Sequence, residues 1–320
     1  MTRLDALLLL MTLIWGTNYS IVKFAFAEID AQAFNAARMG LASLVFLGLM
    51  AAIRRLRARR GLARPAADED SLASIFVTSA PITPRDWMGL AGLGLVGHCL
   101  YQFLFIGGLA RTSVANSSLI LAATPVLIAL ATAVLGHDRV GLRYWIGATL
   151  SMAGIYVVIG EGFRLDPAAI GGDLMVSAAV CCWAAYTIGA RQLMARHSPV
   201  GVTGLSMSIG TLLYVPLVAA RVHAAPWGAL PAATWLALLY SSLFALCVAY
   251  TIWYAAVRRI GSARTSVYSN VVPIVAMGTA VLFLGEPIGP SKVLGATAVL
   301  AGVALTRTEP RNPATRRRGP

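Results

Sequence analysis

Two cations, Lys23 and Arg38, stand inside otherwise apolar segments of this 320-residue chain. A charge in apolar surroundings is costly, so each is expected to bind a partner or to serve a function. Lys23 lies about four residues, or roughly 6 Å along a helix, from the end of its segment, and Arg38 about six residues, or roughly 9 Å, from the start of its own. They could attract an anionic group, reach water along their aliphatic stems, or pair with Glu28 and Asp30 in the short connection between them.

His98 and Gln102 are the next candidates, because four residues place them on one helix face, with Tyr101 beside them. An imidazole at this depth could bind a solute or carry a proton, and it could equally be an interior hydrogen-bonding group. No Asp or Glu lies deep in any apolar segment. If a proton is carried through the apolar segments, His98 is therefore the predicted carrier.

Aromatic residues recur at the centres of three apolar segments and offer surfaces for a planar or mixed-polarity ligand. The same side chains also serve as ordinary packing residues. The candidates are Trp15, Asn18 and Tyr19 in the first segment, Trp183 and Tyr186 in the sixth, and Tyr250 and Trp253 in the eighth.

These residues lie on segments that composition assigns to a membrane. Hydrophobic residues make up 58% of the chain and charged residues only 12%, against about a quarter charged in ordinary soluble domains. The net charge of +13 does not indicate nucleic-acid binding, since the basic residues occupy loops rather than one folded face. The four cysteines show no metal or disulfide spacing, and neither a metal nor a cofactor is expected.

Ten segments are long and apolar enough to be transmembrane helices, which need about 20 such residues. We therefore predict an all-α integral membrane protein. The predicted spans are 5–27, 32–53, 87–109, 113–135, 142–160, 173–194, 199–220, 232–256, 263–284 and 289–306.

The chain also contains an internal duplication. Pro125, Gly147 and Gly154 reappear 148 residues later as Pro273, Gly295 and Gly302, and Asp138 matches Glu286. Earlier matches have other offsets: Tyr101 and Ser113 with Tyr250 and Ser262 at 149 residues, and Trp15 and Lys23 with Trp183 and Arg191 at 168. Five helices per copy is an odd number, so the second copy is predicted to enter the membrane inverted. Pro125 and Pro273 are predicted to kink equivalent helices.

Cations fix the predicted orientation, because cytoplasmic loops are enriched in Lys and Arg. With the N-terminus inside, twenty cations fall on the inner side and four on the outer side, the latter being Arg111, Arg164, Arg221 and Lys292. Both termini are therefore predicted to be cytoplasmic.

These features together resemble the EamA-type family of the drug/metabolite transporter superfamily. The resemblance rests on Trp15 to Asn18, Arg38, the stretches Pro125 to Asp138 and Pro273 to Glu286, and the ten-helix inverted duplication. The first copy departs from the family pattern with Gly136, His137, Asp138 where the second keeps Gly285, Glu286. This change concerns a helix end.

The resemblance implies a bacterial inner-membrane permease, monomeric or homodimeric, with a central cavity between its halves. Residues 1–160 would form the first repeat, with a cytoplasmic basic loop at 54–85. Residues 161–307 would form the second repeat and 308–320 a basic tail.

The predicted function is secondary transport, in the export direction, of a small organic metabolite such as an amino acid, a related compound or a toxic analogue. The expected partners are this solute and the lipid bilayer, and proton coupling is an option. A membrane-embedded enzyme is the alternative from another class, but it would require clustered His, Asp or Cys, and the chain has only scattered ones. A scaffold or channel without saturable transport is a further alternative.

Overall fold

A computed structural model describes residues 2–61, 73–78, 80–112, 117, 120–135, 141–160, 170–284 and 290–307. The described part is entirely helical. Several predicted features lie outside it: Ser113, Asp138 and Glu286 with their neighbours, the middle of the basic loop, and the tail 308–320.

The longer helices follow the apolar segments closely. They are α1 (Arg3–Ala25), α2 (Ala31–Arg59), α4 (Pro84–Arg111), α5 (Thr124–Val134), α6 (Leu142–Gly160), α7 (Ile170–Met194), α8 (Pro199–Leu217), α10 (Ala232–Ile260), α12 (Val272–Leu284) and α13 (Pro290–Arg307). Short helices connect them: α3 (Ala73–Phe76), α9 (Ala219–Ala224) and α11 (Ser262–Ser266). Within the described residues, six helices are long and apolar enough to cross a membrane, namely α1, α2, α4, α7, α8 and α10.

Helix starts carry local signals that explain their positions. Thr2 and Asp5 form a reciprocal capping box at α1, and Thr83 and Asp86 form another at α4, where Pro84 occupies the first turn. Ser198 caps α8 through its hydroxyl. Each cap satisfies backbone N–H groups that the first turn of a helix leaves unpaired.

α2 is longer than predicted, because its helix continues past the apolar residues through Arg54 to Arg59. Arginine is a good helix former, so the end of the hydrophobic stretch is not the end of the helix. The chain then turns at Gly61, which has a φ of 60° that favours glycine.

Two helices contain π-helical segments at equivalent places in the duplication, Gly94–Leu100 in α4 and Ser241–Val248 in α10. A π segment inserts an extra residue per turn and changes the direction of the side chains that follow it. These two segments were not predicted from the sequence.

The two prolines lie after helix breaks rather than within kinked helices. α5 begins at Thr124, with Pro125 in its first turn. The predicted span 263–284 is divided into α11, a 3₁₀ segment Val267–Val271, and α12, where Pro273 is the second residue. A proline in the first helical turn removes no hydrogen bond, because that N–H has no intrahelical acceptor.

Two pairs of helices pack antiparallel at short distance. In α6 and α13, Gly147 lies against Gly302 and Gly154 against Gly295, so one helix ascends as the other descends. In α2 and α8, Gln32 contacts Tyr214, Ser43 contacts Thr211, and Gly204 packs on Phe46. Small residues at these crossings let the backbones approach, as in other helical membrane proteins.

Candidate functional site

A cavity of about 90 Å³ lies among α1, α2, α4, α5, α7, α10 and α12. One water requires roughly 10–15 Å³ on a comparable measure, so there is room for a small organic group. Its wall is mostly aromatic and aliphatic with a few polar side chains, which is the usual character of a ligand site.

Eight predicted candidates line this cavity, although they come from five different helices. They are Trp15, Asn18 and Tyr19 of α1, Arg38 of α2, Tyr101 and Gln102 of α4, Trp183 of α7 and Tyr250 of α10. The positions brought together therefore extend from residue 15 to residue 250.

Arg38 is the charged residue of the described wall, and it is only 2% exposed. Its Nη1 donates to Ser241 Oγ at 2.9 Å and its Nη2 to Gln102 Oε1 at 2.9 Å. The Gln102 amide in turn donates to Tyr250 Oη at 3.3 Å. No Asp or Glu of the described part lies within ion-pair distance of Arg38.

The aromatic residues of the wall pack against one another, and two of the pairs meet edge to face. The ring centroids of Trp15 and Trp183 are 5.8 Å apart at 76°, and those of Trp183 and Tyr250 are 5.4 Å apart at 72°. Tyr101 lies 5.1 Å from Trp183. The Trp15 indole also donates to the carbonyl of Ala245, in the π segment of α10, at 3.0 Å. These contacts hold the rings in fixed orientations.

Lys23 does not belong to the described wall of the cavity. Its Nζ donates to the carbonyls of Leu109 and Thr112, at 2.6 and 3.1 Å, where α4 ends. The last carbonyls of a helix have no intrahelical donor and carry partial negative charge, so an ammonium group is favoured there. Asp30, one of its predicted partners, instead pairs with Arg221 at 3.1 Å.

His98, Tyr186 and Trp253 form a layer beside the cavity rather than part of its described wall. His98 Nε2 lies 2.9 Å from Tyr186 Oη, which lies 3.0 Å from Ser206 Oγ, and His98 is fully buried. Trp253, also fully buried, lies 5.3 Å from Trp15 and 5.7 Å from Trp183. The role in solute binding that the sequence predicts for these three residues stays a prediction.

Several wall residues were not among the predicted candidates. Phe105 had a usable signal, since it lies one helical turn after Tyr101. The others are small or aliphatic residues near the helix breaks and π segments, whose side chains carry no chemical signature. These residues are Leu121, Ala122, Thr124, Ala245, Leu246, Ser269, Val272 and Pro273.

Comparison with protein families gives a match to the EamA-like transporter family over residues 70–160 and 170–308. The chain is similar to the uncharacterized transporter YyaM of Bacillus subtilis (strain 168), with 25% identity over 93% of this chain and 91% of that protein. It is 24% identical to a probable amino-acid metabolite efflux pump of Escherichia coli (strain K12), over 95% of each chain.

A third relative is a probable terminal-alkyne amino-acid exporter of Streptantibioticus cattleyicolor, 28% identical over 69% of this chain and 73% of that protein. Among solved structures, one crystal structure superposes with a TM-score of 0.70 at 19% identity, over 95% of this chain and 96% of that one. At that identity the likeness concerns the fold.

Proposed function

The chain belongs to the EamA-like transporter family and is a multi-pass membrane protein, and from this premise we propose that it is a secondary transporter that exports a small organic metabolite. The solute is an amino acid, a related compound or a toxic analogue, carried across the bacterial inner membrane by alternating access. The two relatives named for amino-acid export and amino-acid metabolite efflux support this solute class.

One observation carries the proposal: the cavity is built from both copies of the duplicated sequence. The first copy contributes α1, α2, α4 and α5, and the second contributes α7, α10 and α12. A site at the interface of two repeats can be exposed alternately when one repeat moves against the other.

Contacts between repeat-equivalent residues support the inverted arrangement. Trp15 meets Trp183 and Ser43 meets Thr211, each pair separated by 168 residues. Ser151 donates to the carbonyl of Val299, 148 residues later. A residue that touches its own equivalent lies on the twofold axis that relates the copies.

The antiparallel packing of equivalent helices supports the inversion as well. Equivalent helices of an upright repeat would run in the same direction, whereas α6 runs opposite to α13 and α2 opposite to α8. Together with the Trp15–Trp183 contact, this indicates an axis that passes beside the cavity. The proposed ten-helix architecture with cytoplasmic termini follows from this symmetry and from the distribution of cations.

The transport proposal is tested with purified protein in liposomes. We expect labelled amino acids or their derivatives to exchange in a saturable manner and to be recovered chemically unchanged. Flux that rises linearly with concentration would indicate a channel, and conversion of the solute would indicate an enzyme.

A variant of the cavity wall tests whether this exchange depends on the candidate site. Trp183→Ala removes a large side chain from the wall and so enlarges the cavity. It should raise KM for exchange, because ring contacts on both sides of the proposed axis are lost. Trp227→Ala is the matched control, since Trp227 lies in a short turn outside the cavity wall. Equal KM values for the two variants would contradict assignment of transport to this cavity.

A further inference from the structure

The described wall of the cavity carries a cation and no anion. The acidic residues of the described part all lie at helix starts or connections and not in the wall; they are Asp5, Glu28, Asp30, Asp86 and Asp173. Four of these have partners there: Asp5 accepts from Tyr268 at 2.6 Å, Asp30 pairs with Arg221, Asp86 with Arg196, and Asp173 accepts from Thr112. A solute in the cavity therefore meets positive charge alone.

The Arg38 guanidinium also retains donors without protein acceptors. It has five N–H groups, and its two hydrogen bonds go to the neutral oxygens of Ser241 and Gln102. Its Nε is buried and has no acceptor among the described residues. A carboxylate accepts two parallel N–H bonds from a guanidinium and supplies the missing negative charge.

The rest of the wall accommodates an apolar body and offers an ammonium group only neutral acceptors, of which Asn18 Oδ1 and Thr124 Oγ1 have no hydrogen-bond partner among the described residues. A cation can bind the face of an aromatic ring. Here the rings of Trp15, Trp183 and Tyr250 meet one another edge to face, so each pair uses part of one ring face for a neighbouring ring edge. Burying an ammonium group without an anion carries a desolvation penalty that such partial contacts offset poorly.

We propose that the cavity selects monocarboxylates that have an apolar or aromatic body and no free ammonium group, in preference to zwitterionic amino acids. Amino-acid derivatives of this kind are the 2-oxo, 2-hydroxy and N-acylated acids. Arg38 holds the carboxylate through its forked N–H groups, with Gln102 and Ser241 fixing the guanidinium plane. This inference rests on the proposed function, because it takes the cavity to be the transport site.

The test uses four probes that share a phenyl ring and differ in their charged groups: 3-phenylpropionate, N-acetylphenylalanine, phenylalanine and phenethylamine. Binding to the purified protein is measured by calorimetry near neutral pH, and transport by counterflow in liposomes. The two anions should bind at least about tenfold more tightly than phenylalanine, because burying the ammonium group without an anion costs several kcal/mol. Phenethylamine should not compete with them.

Arg38 variants test whether this side chain causes the preference for monocarboxylates. Arg38→Gln should weaken binding of 3-phenylpropionate about tenfold or more and leave neutral 3-phenylpropanamide unchanged. Arg38→Lys, which keeps the charge without the fork, should fall between wild type and Arg38→Gln. Arg221→Gln is the control, because it removes a cation that is paired with Asp30 outside the cavity, and it should keep the wild-type preference.

The outcomes separate this inference from the proposed function. If phenylalanine binds as tightly as 3-phenylpropionate, or if neither anion binds at millimolar concentration, anion selection is overturned, while saturable exchange of phenylalanine would leave the transporter proposal standing. If neither anion, nor phenylalanine, nor any other amino acid exchanges saturably, the transporter proposal fails. Should Arg38→Gln not assemble, the comparison of probes on the wild-type protein decides the matter alone.

Discussion

A cation inside an apolar protein must find acceptors, and Lys23 and Arg38 find different ones. Lys23 binds backbone carbonyls where α4 ends, and Arg38 binds two neutral side chains at the cavity wall. The first arrangement satisfies the ammonium group within the protein. The second leaves the guanidinium without a counter-charge in the described part, so a role in binding an anion falls to Arg38 rather than to the pair.

Replacing Lys23 by Met should therefore lower stability without altering selection among solutes. The change removes two hydrogen bonds from a charged donor and leaves the carbonyls of Leu109 and Thr112 without that donor, which we expect to cost about 1.5–3 kcal/mol. The measurements are the melting temperature of the purified protein and the ratio of affinities for anionic and zwitterionic probes. A changed affinity ratio in a variant of normal stability would indicate that Lys23 takes part in solute binding.

His98 is held by its neighbours through one ring nitrogen, while its buried Nδ1 has no hydrogen-bond partner among the described residues. Its Nε2 meets Tyr186 Oη, and the Tyr186 hydroxyl continues to Ser206. The close approach of α4 to α7 and to α8 depends on Gly97 and Gly210, where a Cβ would overlap Tyr186 and His98 respectively. A proton added to this fully buried ring would place a charge where these described contacts provide no carboxylate.

We accordingly expect His98→Gln to fold and to keep the wild-type pH profile of exchange, because glutamine can still hydrogen-bond Tyr186. His98→Leu should be less stable by about 1–2 kcal/mol, since it leaves Tyr186 with one partner fewer. Exchange is measured from about pH 5.5 to 8.5, together with melting temperatures. A flattened pH profile in His98→Gln would instead establish the proton-carrying role that the sequence predicts.

At the scale of helices, the length of the apolar stretches predicted most element positions. Apolar stretches located α1, α4, α6 and α7 closely, because a membrane helix must be apolar for nearly its full length. The breaks before Pro125 and Pro273 and the two π segments were missed. Such features depend on how neighbouring helices satisfy displaced carbonyls, as Trp15 does at Ala245, and an apolar sequence carries no record of that.

The candidate site was predictable to the extent that its chemistry was visible in single residues. Arg38 and Trp15 stand out as charged or large aromatic side chains within apolar segments. Ser241 does not, because serine is common in membrane helices, yet it holds the Arg38 guanidinium from a helix that is distant in sequence. That Lys23 and Arg38 bind at different places likewise could not be predicted, because it depends on the direction of each side chain.

Close packing of α6 on α13 gives a prediction at this scale. A Cβ on Gly154 would lie 2.6 Å from the carbonyl oxygen of Gly295 and 2.7 Å from the amide nitrogen of Val299, and backbone atoms cannot rotate away. Gly154→Ala should therefore push the helices apart and destabilise the protein by about 1–3 kcal/mol. Its melting temperature should fall accordingly.

Gly92→Ala is the matched control, since a Cβ there has no heavy atom within 4 Å among the described residues. Alanine favours the helix over glycine by up to about 1 kcal/mol, so this variant should be as stable as wild type or more so. Equal destabilisation of both variants would show that the Gly154 contact does not hold the two helices together.

At the scale of the whole molecule, charge distribution and repeat symmetry both predict that the two termini lie on the same side of the membrane, and charge distribution predicts that this side is the cytoplasm. Twenty cations fall on the side assigned to the cytoplasm and four on the other. An inverted duplication requires an odd number of membrane crossings per copy. Equivalent helices then run in opposite directions, as α6 and α13 do. The two arguments are independent, because one uses loop composition and the other uses helix contacts.

Reporter fusions test this orientation directly. Fusions after Arg60 and after Arg318 should both report a cytoplasmic location, because Arg60 ends a run of arginines at α2 and Arg318 belongs to the basic tail. A fusion after Arg221, which follows α8, should report the opposite side and serves as the internal control. If Arg60 and Arg318 report opposite sides, the number of crossings between them is odd, and two five-helix copies cannot account for the fold. If both report the outer side, the inverted repeats survive but the orientation is reversed, and the cation-rich loops would then face outward against the usual bias.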